Sequence, residues 1–233
     1  MATFVLVHGA WHGAWCWQRV ARLLRSGGHD VFTPTLTGVG ERSHLFSPSI
    51  NLDTHILDVV NEMKWQELRD VVLVGHSYGG MVISGVAEKM EKAIASLVML
   101  DAFMPEDGQC VLDIYPPDMR EPVLAAVRSG ATSLPPRAAA LFKVNERDRA
   151  WVDAQCTPQP IRCFLQKLTL TGARERIAKK AYIRAVVYPS PYFDAGLASA
   201  RAKKDWRLYE LPCGHDVMLD MPEKLIQILQ EAA

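Results

Sequence analysis

Residues 71–82 read VVLVGHSYGGMV and set Ser77 between Gly75 and Gly79, directly behind four apolar residues. A serine hydroxyl is a weak nucleophile, so chemistry there needs a base, a group that orients the base, and donors for a developing oxyanion. In a Gly-x-Ser-x-Gly segment the serine occupies a sharp strand-to-helix turn, and the glycines keep side chains out of the bend. A strand-like run before Ser77 and a helix-compatible run after it are the context this chemistry requires. Without them the same five residues would describe an ordinary Gly/Ser turn.

Of the seven histidines, His8 and His12 lie in the first loop, and His29, His44 and His55 lie in early connecting segments. His76 adjoins the serine, and only His215 comes late, in LPCGHDVMLDMPEKL. A base following the last strand completes the chain order serine, acid, histidine, so His215 is the candidate base. Its plainer reading is a hydrogen-bonded structural histidine. Oxyanion donors are expected from the Tyr78 N–H and the Ala10 N–H, the latter in HGAWHGAW at 8–15, where small Gly9 and Ala10 admit a ligand close to the backbone. His8 and Trp11 then read as loop packing.

The orienting acid has two candidates. Asp101 ends the apolar run SLVMLDAF, where a carboxylate is costly to bury without a partner; its plainer reading is a turn cap. Asp194, in PSPYFDAG, has the stronger reading as a helix cap. Both follow strands whose carboxyl ends share one sheet edge, so either could reach His215 Nδ1. Asp216, adjacent to His215, is expected to point elsewhere.

These residues need a scaffold. TFVLVHG (3–9), VVLVGH (71–76) and SLVMLDAF (96–103) read as buried parallel strands, with DVFTPTL (30–36), YIRAVVY (182–188) and WRLYELP (206–212) as further strands. Amphipathic stretches at 15–26, 52–63, 79–92 and 221–232 alternate with them, which predicts an α/β fold with a mostly parallel sheet in a single domain. Residues 105–180 break the rhythm with proline pairs between helical pieces, as an insertion capping the sheet would. Gly38-Val39-Gly40 lacks the third glycine of a nucleotide fingerprint and reads as a turn.

The chain has 233 residues, with Lys+Arg and Asp+Glu equal at 26 each. No basic block suggests nucleic acid, and no apolar stretch has the length of a membrane span. Five cysteines without a CxxC pair read as reduced thiols, not as a disulfide framework or a zinc site. A strand-like run starting at residue 3 leaves no room for a secretion leader. The expectation is a cytoplasmic protein, compatible with a homodimer, that needs no metal or cofactor.

FVLVHGAWHGAWCW, VVLVGHSYGG, DAFMP and the late GHD resemble the α/β-hydrolase superfamily. The closer likeness is to plant methyl esterases and hydroxynitrile lyases and to their bacterial relatives, which include esterases and carbamate-cleaving hydrolases. The resemblance implies an α/β-hydrolase fold with a small helical cap and hydrolysis of small aromatic or short-chain esters, or related carbamates or amides, through an acyl-enzyme. It breaks at the acid. Plant members usually carry the acid just past the strand corresponding to YIRAVVY, near Tyr188 here, where no carboxylate occurs before Asp194. Other α/β-hydrolases, pancreatic lipase among them, place it where Asp101 stands, and Asp101 is preferred. Where the lyases have a threonine and a lysine, this chain has Ala10 and Asp216, and a carboxylate would repel cyanide. A non-catalytic binder, and a cofactor-free oxygenase using a His/Asp pair, are the remaining alternatives on this fold. Trp11, Met104 and Met218 are the pocket candidates.

Overall fold

The structure is a computed structural model that describes residues 1–233. Six strands form one sheet: β1 (Thr3–Val7), β2 (Asp30–Phe32), β3 (Val71–His76), β4 (Ile94–Leu100), β7 (Lys179–Ala185) and β8 (Trp206–Leu211). Their spatial order is β2-β1-β3-β4-β7-β8, and every neighbouring pair is parallel. β3 and β4 lie at the centre, covered on both faces, which is why their sequences are apolar without alternation. The sheet is flanked by helices: α1 (Gln18–Ser26) packs against α11 (Pro222–Ala232), and α2 (Leu52–Trp65) packs against α3 (Gly79–Met90).

Several boundaries differ from the sequence reading. β1 stops at Val7, since His8 and Gly9 already belong to the loop. β2 ends at Phe32, ahead of Pro34, which has no N–H to donate to a ladder. β4 runs from Ile94 to Leu100, and the chain turns at Asp101, whose φ is 42°. β7 begins three residues early, because Lys180 extends its ammonium to the carbonyls of Glu175 and Ile177 (2.9 and 2.6 Å) and so tolerates a buried strand position.

Residues 101–178 lie between β4 and β7. They carry the short helices α4 (Val111–Ile114), α7 (Arg162–Leu165) and α8 (Ala173–Arg176), the longer α5 (Pro117–Arg128) and α6 (Glu146–Gln155), and a two-stranded antiparallel ladder of β5 (Ser133–Leu134) with β6 (Gln159–Pro160). Phe142 of this segment packs on the His215 ring (5.4 Å between centroids) and Phe164 on that of Tyr78 (5.7 Å), residues that follow β8 and β3. The last two helices are α9 (Pro191–Arg201) and α10 (Val217–Asp220).

Candidate active site

Ser77 follows β3 with φ 53°, in the left-handed region that costs a non-glycine residue on the order of 1 kcal/mol or more. The bend is tight enough to require its glycines. A Cβ on Gly75 would lie 2.6 Å from the Gly79 carbonyl oxygen, and one on Gly79 would lie 2.8 Å from that of Val7. Two main-chain bonds secure the turn: Ser77 N–H donates to Leu100 O (3.2 Å), and Phe103 N–H donates to Ser77 O (3.1 Å). Ser77 remains partly exposed although its neighbours His76 and Tyr78 are buried.

The His215 imidazole packs face to face with Phe193 (5.1 Å between ring centroids) and lies 4.4 Å from the ring of His76, the residue before the serine. Its Nδ1 is 2.6 Å from Asp101 Oδ2, with both side chains buried. Because an ionised carboxylate only accepts, Nδ1 carries the proton and Nε2 is left with its lone pair. No hydrogen bond joins the Ser77 hydroxyl to His215 Nε2, and neither atom bonds any other group of the chain; His215 is held through Nδ1 and its main-chain oxygen. The other oxygen of Asp101 accepts from Arg184 Nη1 (2.8 Å) and from the Ala185 N–H (3.1 Å).

Asp194 sits in the first turn of α9, which Ser190 caps by accepting the Phe193 N–H. The Asp194 carboxylate is 63% exposed, and it accepts from Arg184 Nε at 2.8 Å. The two acids weighed from sequence therefore flank one guanidinium, and it is Asp101 that meets His215.

The N–H groups of Ala10 and Tyr78 donate to no group of the chain, although both residues are buried. Tyr78 N–H lies at the amino end of the twelve-residue α3, where the helix dipole favours negative charge. The Ala10 N–H belongs to the peptide whose carbonyl, Gly9 O, accepts from His8 Nδ1 at 2.8 Å. His8 Nε2 accepts from the Leu36 N–H (3.1 Å), which fixes the tautomer. On the other side, the Tyr78 hydroxyl contacts His55 Nδ1 (3.0 Å), and His55 Nε2 donates to Thr37 O (2.9 Å).

Burial lowers the pKa of His8 to about 3 and that of His55 to about 4. Both rings stay neutral in the folded protein, whereas the unfolded chain protonates them below about pH 6.5. The unfolded state thus binds more protons, and stability falls as pH drops through this range. Between about pH 7 and pH 5 the two rings together are expected to remove on the order of 4 kcal/mol. Thermal melts at the two pH values check this: His55→Gln should lose less Tm on acidification than wild type, and equal losses would refute the assignment.

Of the pocket candidates, Trp11 lines a cavity of about 570 Å³ together with Tyr115, Met119, Val123, Leu134 and Phe164. Met104 and Met218 do not line it: Met218 is fully buried in α10, and Met104 packs half-buried against the core. Trp11 has φ 65°, and its indole N–H donates to Leu134 O (3.1 Å). Asp216, adjacent to His215, turns its carboxylate to His12 (3.0 Å). His76, His215 and Asp216 offer ligand atoms within 4.8 Å of one another. A cation there would have to displace the bonds that His76 Nε2 makes to His215 O and that Asp216 makes to His12. Sequence reasoning missed Arg184, His12 and the role of His8. The repeated His-Gly-Ala-Trp was the signal for the histidines; for Arg184, only its buried strand position marked it.

A model of the alpha/beta hydrolase family matches residues 4–228. A carbendazim hydrolyzing esterase from Nocardioides sp. (strain SG-4G) is 43% identical over 240 residues, covering 98% of each chain. A putative chloroplastic methylesterase of Arabidopsis thaliana is 27% identical over 249 residues, covering 99% of this chain and 63% of its own length. Among solved structures, an extracellular alpha/beta-hydrolase from a Paenibacillus species, described as sharing structural and functional homology with tobacco salicylic acid binding protein 2, superposes with a TM-score of 0.87 at 27% identity, covering 100% of this chain and 99% of that one. No helix is long and apolar enough to cross a membrane.

Proposed function

The chain belongs to the alpha/beta hydrolase family, and from that membership we propose that it is a serine esterase acting on small aromatic or short-chain esters through an acyl-enzyme. The observation that carries the reading is the Asp101–His215 bond of 2.6 Å, which leaves Nε2 unprotonated on a ring 4.4 Å from that of His76, the residue before Ser77. Ser77 attacks the carbonyl as His215 takes its proton, and Asp101 stabilises the imidazolium. The free N–H groups of Ala10 and Tyr78 receive the oxyanion, and His215 then protonates the departing alcohol. Water releases the acyl group by the same steps in reverse order. Carbamates and amides enter the same chemistry with a different leaving group.

The cavity beside Trp11 is lined mainly by apolar residues, with Asp118 and Arg137, and not by Ser77 or His215; its apolar wall supports an aromatic or short aliphatic acyl part. The esterase relatives support ester cleavage over the lyase reaction, and the five free thiols support a cytoplasmic location. A fluorophosphonate is expected to label wild type at Ser77 and to abolish hydrolysis of p-nitrophenyl acetate, with Ser77→Ala as the blank. Turnover no faster than the blank, with no label at Ser77, would sink the reading and favour a binding protein.

A further inference from the structure

Three segments must keep register for this chemistry: the loop with Ala10, the turn with Ser77, and the loop with His215. The side chains that join them belong to none of the roles above. His12 Nδ1 is 2.8 Å from Ala10 O, and its Nε2 is 3.0 Å from Asp216 Oδ2. A carbonyl oxygen and a carboxylate both accept, so both ring nitrogens carry protons and His12 is an imidazolium. Burial opposes that charge, but Asp216 outweighs it and the His12 pKa stands above its ordinary value. Burial would likewise raise Asp216, and the charge and hydrogen bond of His12 hold it far below the usual carboxylate range. His12 is 2% exposed and Asp216 0%, a placement that costs several kcal/mol of desolvation per ion before their attraction is counted.

We propose that the His12–Asp216 ion pair is a positioning element that clamps the oxyanion loop to the loop bearing the base. The proposal rests on the hydrolase reading above. Asp216 directly follows His215, so its bond to His12 tethers the backbone of the base. His12 passes the tether to the Ala10 carbonyl, beside the peptide that presents the Ala10 N–H. His76, the residue before Ser77, completes the brace by donating Nε2–H to His215 O at 3.0 Å. The second Asp216 oxygen, buried without a hydrogen bond, lies 3.9 Å from the same His76 nitrogen.

The brace acts on a strained segment. Trp11 adopts φ 65°, and its N–H donates to Gln159 Oε1 at 3.1 Å. With Gln159 on one side of the Ala10–Trp11 peptide and His12 on the other, that peptide cannot rotate. Releasing His12 frees the Ala10 carbonyl, and the N–H of the same residue drifts from the oxyanion position. The Gln159 bond still holds the Trp11 N–H where Trp11 lines the cavity, so the loss is expected to fall on the transition state.

The test compares wild type, Asp216→Asn, His12→Gln and their double variant on p-nitrophenyl acetate. Active sites are titrated with a fluorophosphonate, and Ki is measured for a trifluoromethyl ketone that forms an oxyanion adduct. Each single variant is expected to lose about 100-fold in kcat per titrated site, with KM within about twofold of wild type. Ki should rise in step with the fall in kcat/KM, and the double variant should lose no more than the worse single one. The apolar double variant His12→Phe/Asp216→Leu leaves no buried charge and should show the same loss should a single variant not fold. Overturning results are kcat per site within about threefold of wild type in these variants, losses that multiply in the double variant, or an unchanged Ki. A lower Tm with normal kcat per site would mark simple packing and equally overturn it. Wild type no faster than Ser77→Ala would instead remove the hydrolase reading, and the proposal with it.

Discussion

Asp101→Asn is expected to lower kcat on p-nitrophenyl acetate about 10,000-fold, with Asp194→Asn within about threefold of wild type. The size of the first effect follows from what already binds Asp101. Its Oδ1 accepts from Arg184 Nη1 and the Ala185 N–H, both obligate donors. An asparagine must therefore keep its carbonyl oxygen there and turn its NH2 towards His215. That amide can only donate, so Nδ1 becomes an acceptor and the ring proton moves to Nε2, the nitrogen that must take the proton of Ser77. Folding should survive, because the shape and the Arg184 contact are retained. Asp194 contacts only Arg184 in this network and is largely exposed, so its loss leaves the histidine tautomer intact. The reverse ranking of the two variants would move the acid to α9 and refute the assignment.

Arg184→Met is expected to destabilise the fold by about 3–5 kcal/mol, lowering Tm by roughly 10 °C. The Arg184 side chain is 2% exposed and that of Asp101 0%, so removing the cation strands a buried carboxylate with only His215 and one N–H to face it. Arg184 also donates from Nη2 to Tyr188 O (2.7 Å) and contacts Ala185 O, tying down the chain just beyond β7. Methionine fills most of the volume, so the loss reports on charge and hydrogen bonding more than on a cavity. Asp194→Asn breaks only the exposed half of the network and should cost about 0–1 kcal/mol. Thermal melts of both variants separate these cases. A Tm for Arg184→Met within about 2 °C of wild type would show that Asp101 is solvated some other way.

Both predictions rest on the proposed assignment, in which a carboxylate after β4 serves in place of one after β7. Arg184 projects from the end of β7 into the space beside Asp101 and bonds it there. Asp194, on the next helix, balances the guanidinium from the solvent side. In the sequence these are three charged residues spread from 101 to 194, with nothing in their spacing to relate them.

The α/β class, the parallel sheet and the glycine-flanked serine turn were legible because each rests on local rules. Apolar runs of strand length, helical periodicity, and a bend that excludes Cβ atoms are properties of neighbouring residues. The candidates Ser77 and His215 were reached by the same local rules, one from its turn motif and the other as the single late histidine. Strand ends were less legible: Lys180 is buried in β7 through carbonyls that only the folded chain brings to its ammonium. The pairing of Asp101 with His215, the bridge from Arg184 to both acids, and the charge on His12 were decided by tertiary structure alone. The bonds Arg184–Asp101, His215–Asp101 and His12–Asp216 join groups 83, 114 and 204 residues apart in the chain, and the protonation of a buried imidazole is set by what faces its two nitrogens.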